Sequence, residues 1–247
     1  MSAPSLAIQK RPRYLNEVQC IASELMRAAR TTPTKKTRVS PKTKERRDEL
    51  RAALLVEAER TIAAHGLGAL KARDLALAVG CATGAIYNVY PDLDSLILEV
   101  NAKTLAAVQA FLSGSSKIAN GKRLSKRDAV DELVDLGLHY LEFATTNLHR
   151  WRALFEHRMQ AGHAVPSWYV ERQLPLFGLV EKALRTLQPA LTEQESTLLS
   201  RSLFSAVHGV VSLGLEERLG TLPAATLRSQ LAELIRAFAL GLAQRRN

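Results

Sequence analysis

Apolar positions recur along most of this chain every three or four residues, and no stretch alternates residue by residue between turn signals, so the pattern predicts helices and no strands. From Lys44 to about His65, Leu50, Leu54, Ala58 and Ile62 fall on one face, and Gly66 and Gly68 end the helix. Leu75, Ala76 and Val79 share a face of a short second helix, and Ala85, Ile86 and Val89 a face of a third. Pro91 and Asp92 interrupt the pattern again, after which Leu96, Ile97, Val100, Leu105, Val108 and Leu112 carry a fourth helix to Ser113-Gly114-Ser115-Ser116. Further periodic stretches cover about 125–146, 149–160, 166–187, 192–219 and 223–246, with Gly162, Pro166, Pro189, Gly220 and Pro223 between them. Thr192 followed three residues on by Glu195 forms a capping box and fixes one helix start. Upstream, Tyr14, Leu15, Val18, Ile21, Ala22, Leu25 and Met26 predict an amphipathic helix over 14–30, and the unpatterned, basic stretch 31–43 with its two prolines reads as a linker.

The run from Lys71 to Pro91 is the most informative. Gly80 supplies the left-handed residue that closes a helix, and Ala76, Ala78, Ala82 and Gly84 let two short helices cross closely. That is the build of a helix-turn-helix, whose second helix enters the major groove of DNA. Here the chain, from about Lys44 to Val100, resembles the DNA-binding domain of TetR-family transcriptional regulators: Gly80, Gly84, Ile86, Tyr87, Tyr90 and the segment 91–96 fall where that family's turn, recognition helix and fourth helix fall. Three positions depart from the pattern, Ala82 where Ser commonly caps the recognition helix, Val89 where an aromatic is common, and Leu93 where a Lys usually contacts phosphate. Either Thr83 caps the helix instead, or the helix starts uncapped at a cost of about 1 kcal/mol. Leu148–His157 and Phe204–Leu213 resemble the C-terminal domain of a TetR subgroup marked by a Trp followed four residues on by His-Gly; here Phe204 replaces the Trp and His208-Gly209 remain.

The resemblance implies an all-α regulator, a repressor, in three parts. Residues 1–43 are a basic extension and linker, 44–92 a three-helix DNA-binding domain with the helix-turn-helix, and 93–247 a larger helical domain for ligand binding and dimerisation. Lys44, Arg47 and Arg51, at the basic start of the first helix, are expected to face the DNA backbone. Thr83, Ala85 and Asn88 are placed to reach base edges, Tyr87 to touch phosphate through its hydroxyl, and Tyr90 to help seat the helix. The expected partners are double-stranded DNA with a pseudo-palindromic operator, a second copy of the chain, and a small apolar or aromatic effector. Trp151, Phe155, Trp168, Phe177 and Phe204, with His208, are the candidates for an effector cavity, although each also serves as ordinary core. Pairing is expected through the last two helices, by Ser202, Ala206, Val210 and Leu213 in one and Leu227, Leu231, Leu234, Ile235, Phe238 and Leu242 in the other.

Composition changes this picture in two ways. The +10 net charge is uneven: residues 1–51 hold 13 Lys and Arg against 5 Asp and Glu, whereas residues 52–247 hold 21 against 19. Positive charge next to a helix-turn-helix suits phosphate neutralisation. The two cysteines, Cys20 and Cys81, are too few for a disulfide framework or zinc site, and His149, His157 and His163 do not share a helical face as ligands at i+4 would. No nucleophile motif, phosphate loop or metal spacing stands out, so neither enzyme, metal nor cofactor is expected. No run of about eighteen apolar residues or signal sequence is found, and a cytoplasmic, membrane-free protein is expected. The alternatives are a ligand-independent or architectural DNA-binding protein, and a helical enzyme or carrier with a fortuitous helix-turn-helix.

Overall fold

The structure, a computed structural model, describes residues 40–216, 220 and 222–245. Among them helix is the regular structure throughout, in the order α1 (Pro41–His65), a 3-10 turn (Leu67–Ala69), α2 (Ala72–Val79), α3 (Thr83–Val89), α4 (Leu93–Ser115), α5 (Lys126–Thr146), α6 (Leu148–Glu156), α7 (Ser167–Glu171), α8 (Leu174–Leu187), α9 (Glu193–Leu215) and α10 (Ala224–Gln244). Contacts divide the chain into 1–44 and 45–247. The helix expected at 14–30 and most of the linker lie outside the described residues. Pro41–Thr43, expected as linker, are instead the first turn of α1: the Ser40 hydroxyl accepts the Thr43 N–H at 3.2 Å and Pro41 needs no donor there. That turn carries no apolar residue, so periodicity could not reveal it.

Within the second unit the reading head has its own core. Leu54, Ala58 and Ile62 of α1 meet Leu75 and Ala76 of α2, Ile86 and Val89 of α3, Tyr90, and Leu96 and Val100 of α4. Burying a side chain of this size stabilises the fold by about 1.5–3 kcal/mol. Gly80 closes α2 in the left-handed region (φ 77°, ψ 34°), with the Cys81 N–H reaching back to the Ala76 carbonyl at 2.9 Å. Of the two possible starts for α3, the structure has the uncapped one: Ala82 occupies the cap position and no side chain bonds there. Asp92 caps α4 by accepting the Ser95 N–H at 2.7 Å.

α4 continues from the head into the body, where α5 packs most extensively on α10. Gly137 makes that crossing possible, since a methyl group there would collide with Ile235 Cδ1. Gly214 likewise admits Leu227, whose Cδ1 would stand 2.5 Å from an added Cβ. The capping box Thr192/Glu195 is formed, and a second one, Ser125/Asp128, starts α5. Two expectations are corrected. The stretch 166–187 is two helices, because Pro175 lacks the N–H that would continue α7, so the chain breaks at Arg172–Gln173 and restarts. And Leu227, Leu231, Ile235 and Leu242 are buried within their own subunit, not held in reserve for a partner.

Candidate DNA-reading face and effector cavity

The packing of α3 on α1, α2 and α4 turns Ile86 and Val89 inward and leaves Thr83, Tyr87 and Asn88 outward, with Tyr87 half exposed and Ala85 partly covered. Lys44 and Arg47 are exposed on α1. Arg51 departs from expectation, and Tyr90 seats the helix from within the core. Tyr90 is fully buried and cannot touch DNA; its hydroxyl donates to Glu99 Oε2 at 2.9 Å. Burial, and then the neighbouring Glu99 carboxylate, raise the Tyr90 phenol well above its ordinary range, so it remains a donor. The Arg51 guanidinium lies over the Tyr90 ring, 4.2 Å from its centroid, pairs with Glu99, and donates through Nη1 to the Val89 carbonyl at 2.7 Å. Arg51, Tyr90 and Glu99 therefore clamp the C-terminal end of α3 between α1 and α4. Sequence reasoning gave Arg51 to phosphate because its charge was visible and Glu99, 48 residues away, was not.

Arg51→Ala is expected to destabilise the fold by about 2 kcal/mol, because it leaves the Val89 carbonyl without its side-chain donor and the half-buried Glu99 without its cation, and to lower the melting temperature by about 4–8 °C. Circular-dichroism melting checks this alongside mobility shifts. A variant that melts like the parent yet loses DNA affinity would put the guanidinium on phosphate instead.

In the body, an apolar cavity of about 230 Å³ lies among α4, α5, α6, α8 and α9. Of the six residues expected around it, Phe155, Phe177 and Phe204 line it; Trp151, Trp168 and His208 do not. Trp168 stands outward at 39% exposure, beside Tyr169, which does line the cavity. Trp151 is buried behind the wall and donates its indole N–H to the Tyr140 hydroxyl at 2.9 Å, and that hydroxyl pairs with His208 Nδ1 at 3.0 Å. Burial holds the His208 imidazole below its usual range against the pull of Glu216, so the neutral ring serves as the partner of Tyr140. Rings of Phe155 and Phe204 pack on His208, with centroids 4.0 and 5.8 Å away. Sequence reasoning missed Tyr140, Tyr169 and Gln173. Tyr140 had left a signal, being one turn beyond Leu136 on the buried face of α5.

The cavity and the reading head share α6. Leu154 and Phe155 face the cavity, while Ala153 next to them is fully buried in the head's core. The Asn101 amide of α4 donates to the Ala153 carbonyl at 3.1 Å, and Arg150 pairs with Glu59 of α1 at 3.0 Å. Below α6, Asp94 in the first turn of α4 is buried: it accepts the Gln160 N–H at 3.1 Å and stands 3.7 Å from His157 Nε2. No group of three metal-binding side chains is assembled among the described residues.

Comparison with known proteins agrees with this arrangement. A family model described as the C-terminal domain of tetracycline-repressor-like proteins matches residues 133–238, from mid-α5 into α10. No curated protein matches the chain. A Rhodococcus sp. RHA1 protein of unknown function is similar in structure with a TM-score of 0.60 at 21% identity, over 79% of this chain and 96% of that one. A TetR-family transcription regulator from Shewanella sp. PV-4 gives 0.55 at 16% identity, over 76% and 96%. RolR, solved with resorcinol bound, gives 0.53 at 17% identity, over 82% and 96%. That matched domain, with the helix-turn-helix ahead of it, gives the chain the fold of a TetR-family regulator.

Proposed function

We propose that this chain is a sequence-specific DNA-binding transcriptional regulator, a repressor, released from its operator by a small apolar or aromatic molecule. The observation that carries the reading is the shared helix α6, which lies against the head's core on one side and the cavity on the other. An architectural DNA-binding protein has no need of such a cavity. Thr83 and Asn88 would reach base edges, Ala85 would pack against them, and Tyr87, Arg47 and Lys44 would meet phosphates, joined by Lys71 and Arg73, which are exposed at the start of α2. RolR, with its bound resorcinol, supports an aromatic effector by analogy of fold alone.

The protein would act in the cytoplasm as a homodimer. α9 supports pairing: it is 23 residues long and apolar enough to pass for a membrane span, yet only 22% of its most apolar window is buried in the subunit. Leu198 and Leu213 stand outward on it at 59% and 42% exposure, and Gly209 between them has nothing within 4 Å of an added Cβ. A helix glycine costs about 1 kcal/mol relative to Ala, which a closely approaching second helix would offset. Two such subunits would set their recognition helices in successive major grooves, about 34–36 Å apart.

Footprinting of the DNA flanking the protein's own gene, with and without uncharged aromatic compounds, tests the reading; protection of two half-sites that a compound abolishes is the expected result. On that site, Asn88→Ala should relax preference at one base position at a cost of about 1–3 kcal/mol, and Tyr87→Phe should weaken all sequences alike. A mobility-shift series in which Tyr87→Phe changes which bases are preferred would reverse the two roles.

A further inference from the structure

The polar groups of the cavity wall are few enough to be accounted for one by one. None of its lining side chains carries a charge, and apart from the hydrocarbon and Phe side chains only Tyr140, Tyr169 and Gln173 have polar side-chain atoms. A charged ligand would lose its water there without gaining a counter-ion, a cost that excludes ionised molecules. Tyr140 is already engaged, since Trp151 can only donate to it and His208 Nδ1 takes its other contact. The Tyr169 hydroxyl meets the side chain of Asn101, and Asn101 Oδ1 is buried without a hydrogen-bond partner. Gln173 is left, its side-chain amide without a hydrogen-bond partner among the described residues.

The chain also fixes where that amide stands. Gln173 lies at the break that Pro175 imposes between α7 and α8, its N–H bonded to the Val170 carbonyl at 3.0 Å and its carbonyl accepting the Leu176 N–H at 3.2 Å. Both backbone groups are thus spent locally, and the side chain is the free element.

We infer that the cavity takes an uncharged, apolar body bearing a single hydrogen-bonding group, and that the Gln173 side-chain amide is the residue that selects for that group. An amide both donates and accepts, so a hydroxyl or a carbonyl can pair with it, whereas a bare hydrocarbon offers it no partner. A site built around one polar group discriminates against the analogue lacking that group more strongly than an apolar pocket discriminates by size. The inference rests on the reading of the cavity as the effector site.

Titration calorimetry on the full chain with 4-ethylphenol, ethylbenzene and 4-ethylbenzoate tests both levels. The phenol is expected to bind about tenfold more tightly than ethylbenzene, and the benzoate not at all. In Gln173→Leu the preference for the phenol over the hydrocarbon should collapse to about one, with ethylbenzene binding kept, which also shows that the cavity has survived; Gln173→Asn should retain part of the preference. An unchanged preference in Gln173→Leu overturns the role of Gln173, and benzoate binding as tightly as the phenol overturns the uncharged class. If none of the three binds the parent, and filling the cavity with Val207→Trp leaves release of DNA by the footprinting compounds intact, the reading of the cavity itself fails.

Discussion

A glutamate at Leu231 or Ile235 is expected to unfold the subunit, not to split a dimer. Both side chains are essentially fully buried in the body, and Ile235 fills the space that Gly137 leaves on α5. A carboxylate there has no cation to pair with and displaces packed hydrocarbon, a combination that costs about 4–5 kcal/mol or more, a large share of the stability of a domain this size. Leu198→Glu and Leu213→Glu make the contrast, because those positions on α9 are exposed in the isolated subunit and tolerate charge there. They should leave the helical signal and melting of the monomer intact while shifting the protein from dimer to monomer and abolishing operator binding. Sedimentation with circular-dichroism melting distinguishes the two classes. A folded monomeric Leu231→Glu protein would put α10 at the interface, and dimeric Leu198→Glu and Leu213→Glu proteins would take α9 out of it.

This contrast also marks where the sequence was legible. An apolar stripe announces a covered face, but the stripe of α10 reads the same whether α5 of its own subunit or a second copy covers it; only the Gly137 contact decides. The helix-turn-helix was legible because it is local: Gly80 needs a left-handed backbone, and Cys81 bonds back to Ala76 within the same turn. The capping box at Thr192 is local in the same sense. Three of the six residues expected at the cavity line it and three do not, because helical period gives a face and not the rotation of that face against its neighbours. Phe177 and Phe204 turned inward together at 5.5 Å, whereas Trp168 turned out once Pro175 had cut its helix short. Pairings between different helices, Arg51 with Glu99 and Tyr140 with Trp151 and His208, leave no mark in spacing at all.

Asn101→Leu is expected to separate effector binding from DNA release. Asn101 is buried where the head, α6 and the cavity wall meet: its amide donates to the Ala153 carbonyl, and its side chain interacts with Tyr169. An effector that presses on Phe155, Leu154 or Tyr169 therefore moves Ala153, which is packed against the head's core with no free space to absorb the shift. Release further requires that the effector bind the two conformations unequally, and a 100-fold loss of operator affinity corresponds to about 2.7 kcal/mol of coupling. Leucine matches Asn101 in the number and branching of its heavy side-chain atoms and removes both polar contacts, so effector affinity of the free protein and operator affinity without effector should each stay within about threefold, while coupling falls to about tenfold or less. Linkage supplies the check, since operator DNA must weaken effector binding by the same factor that effector weakens operator binding, in parent and variant alike. Anisotropy titrations with labelled operator, run in both directions, measure the two factors. If they agree with each other in Asn101→Leu and equal those of the parent, the head is moved by another route, such as the Arg150–Glu59 pair or the length of α4.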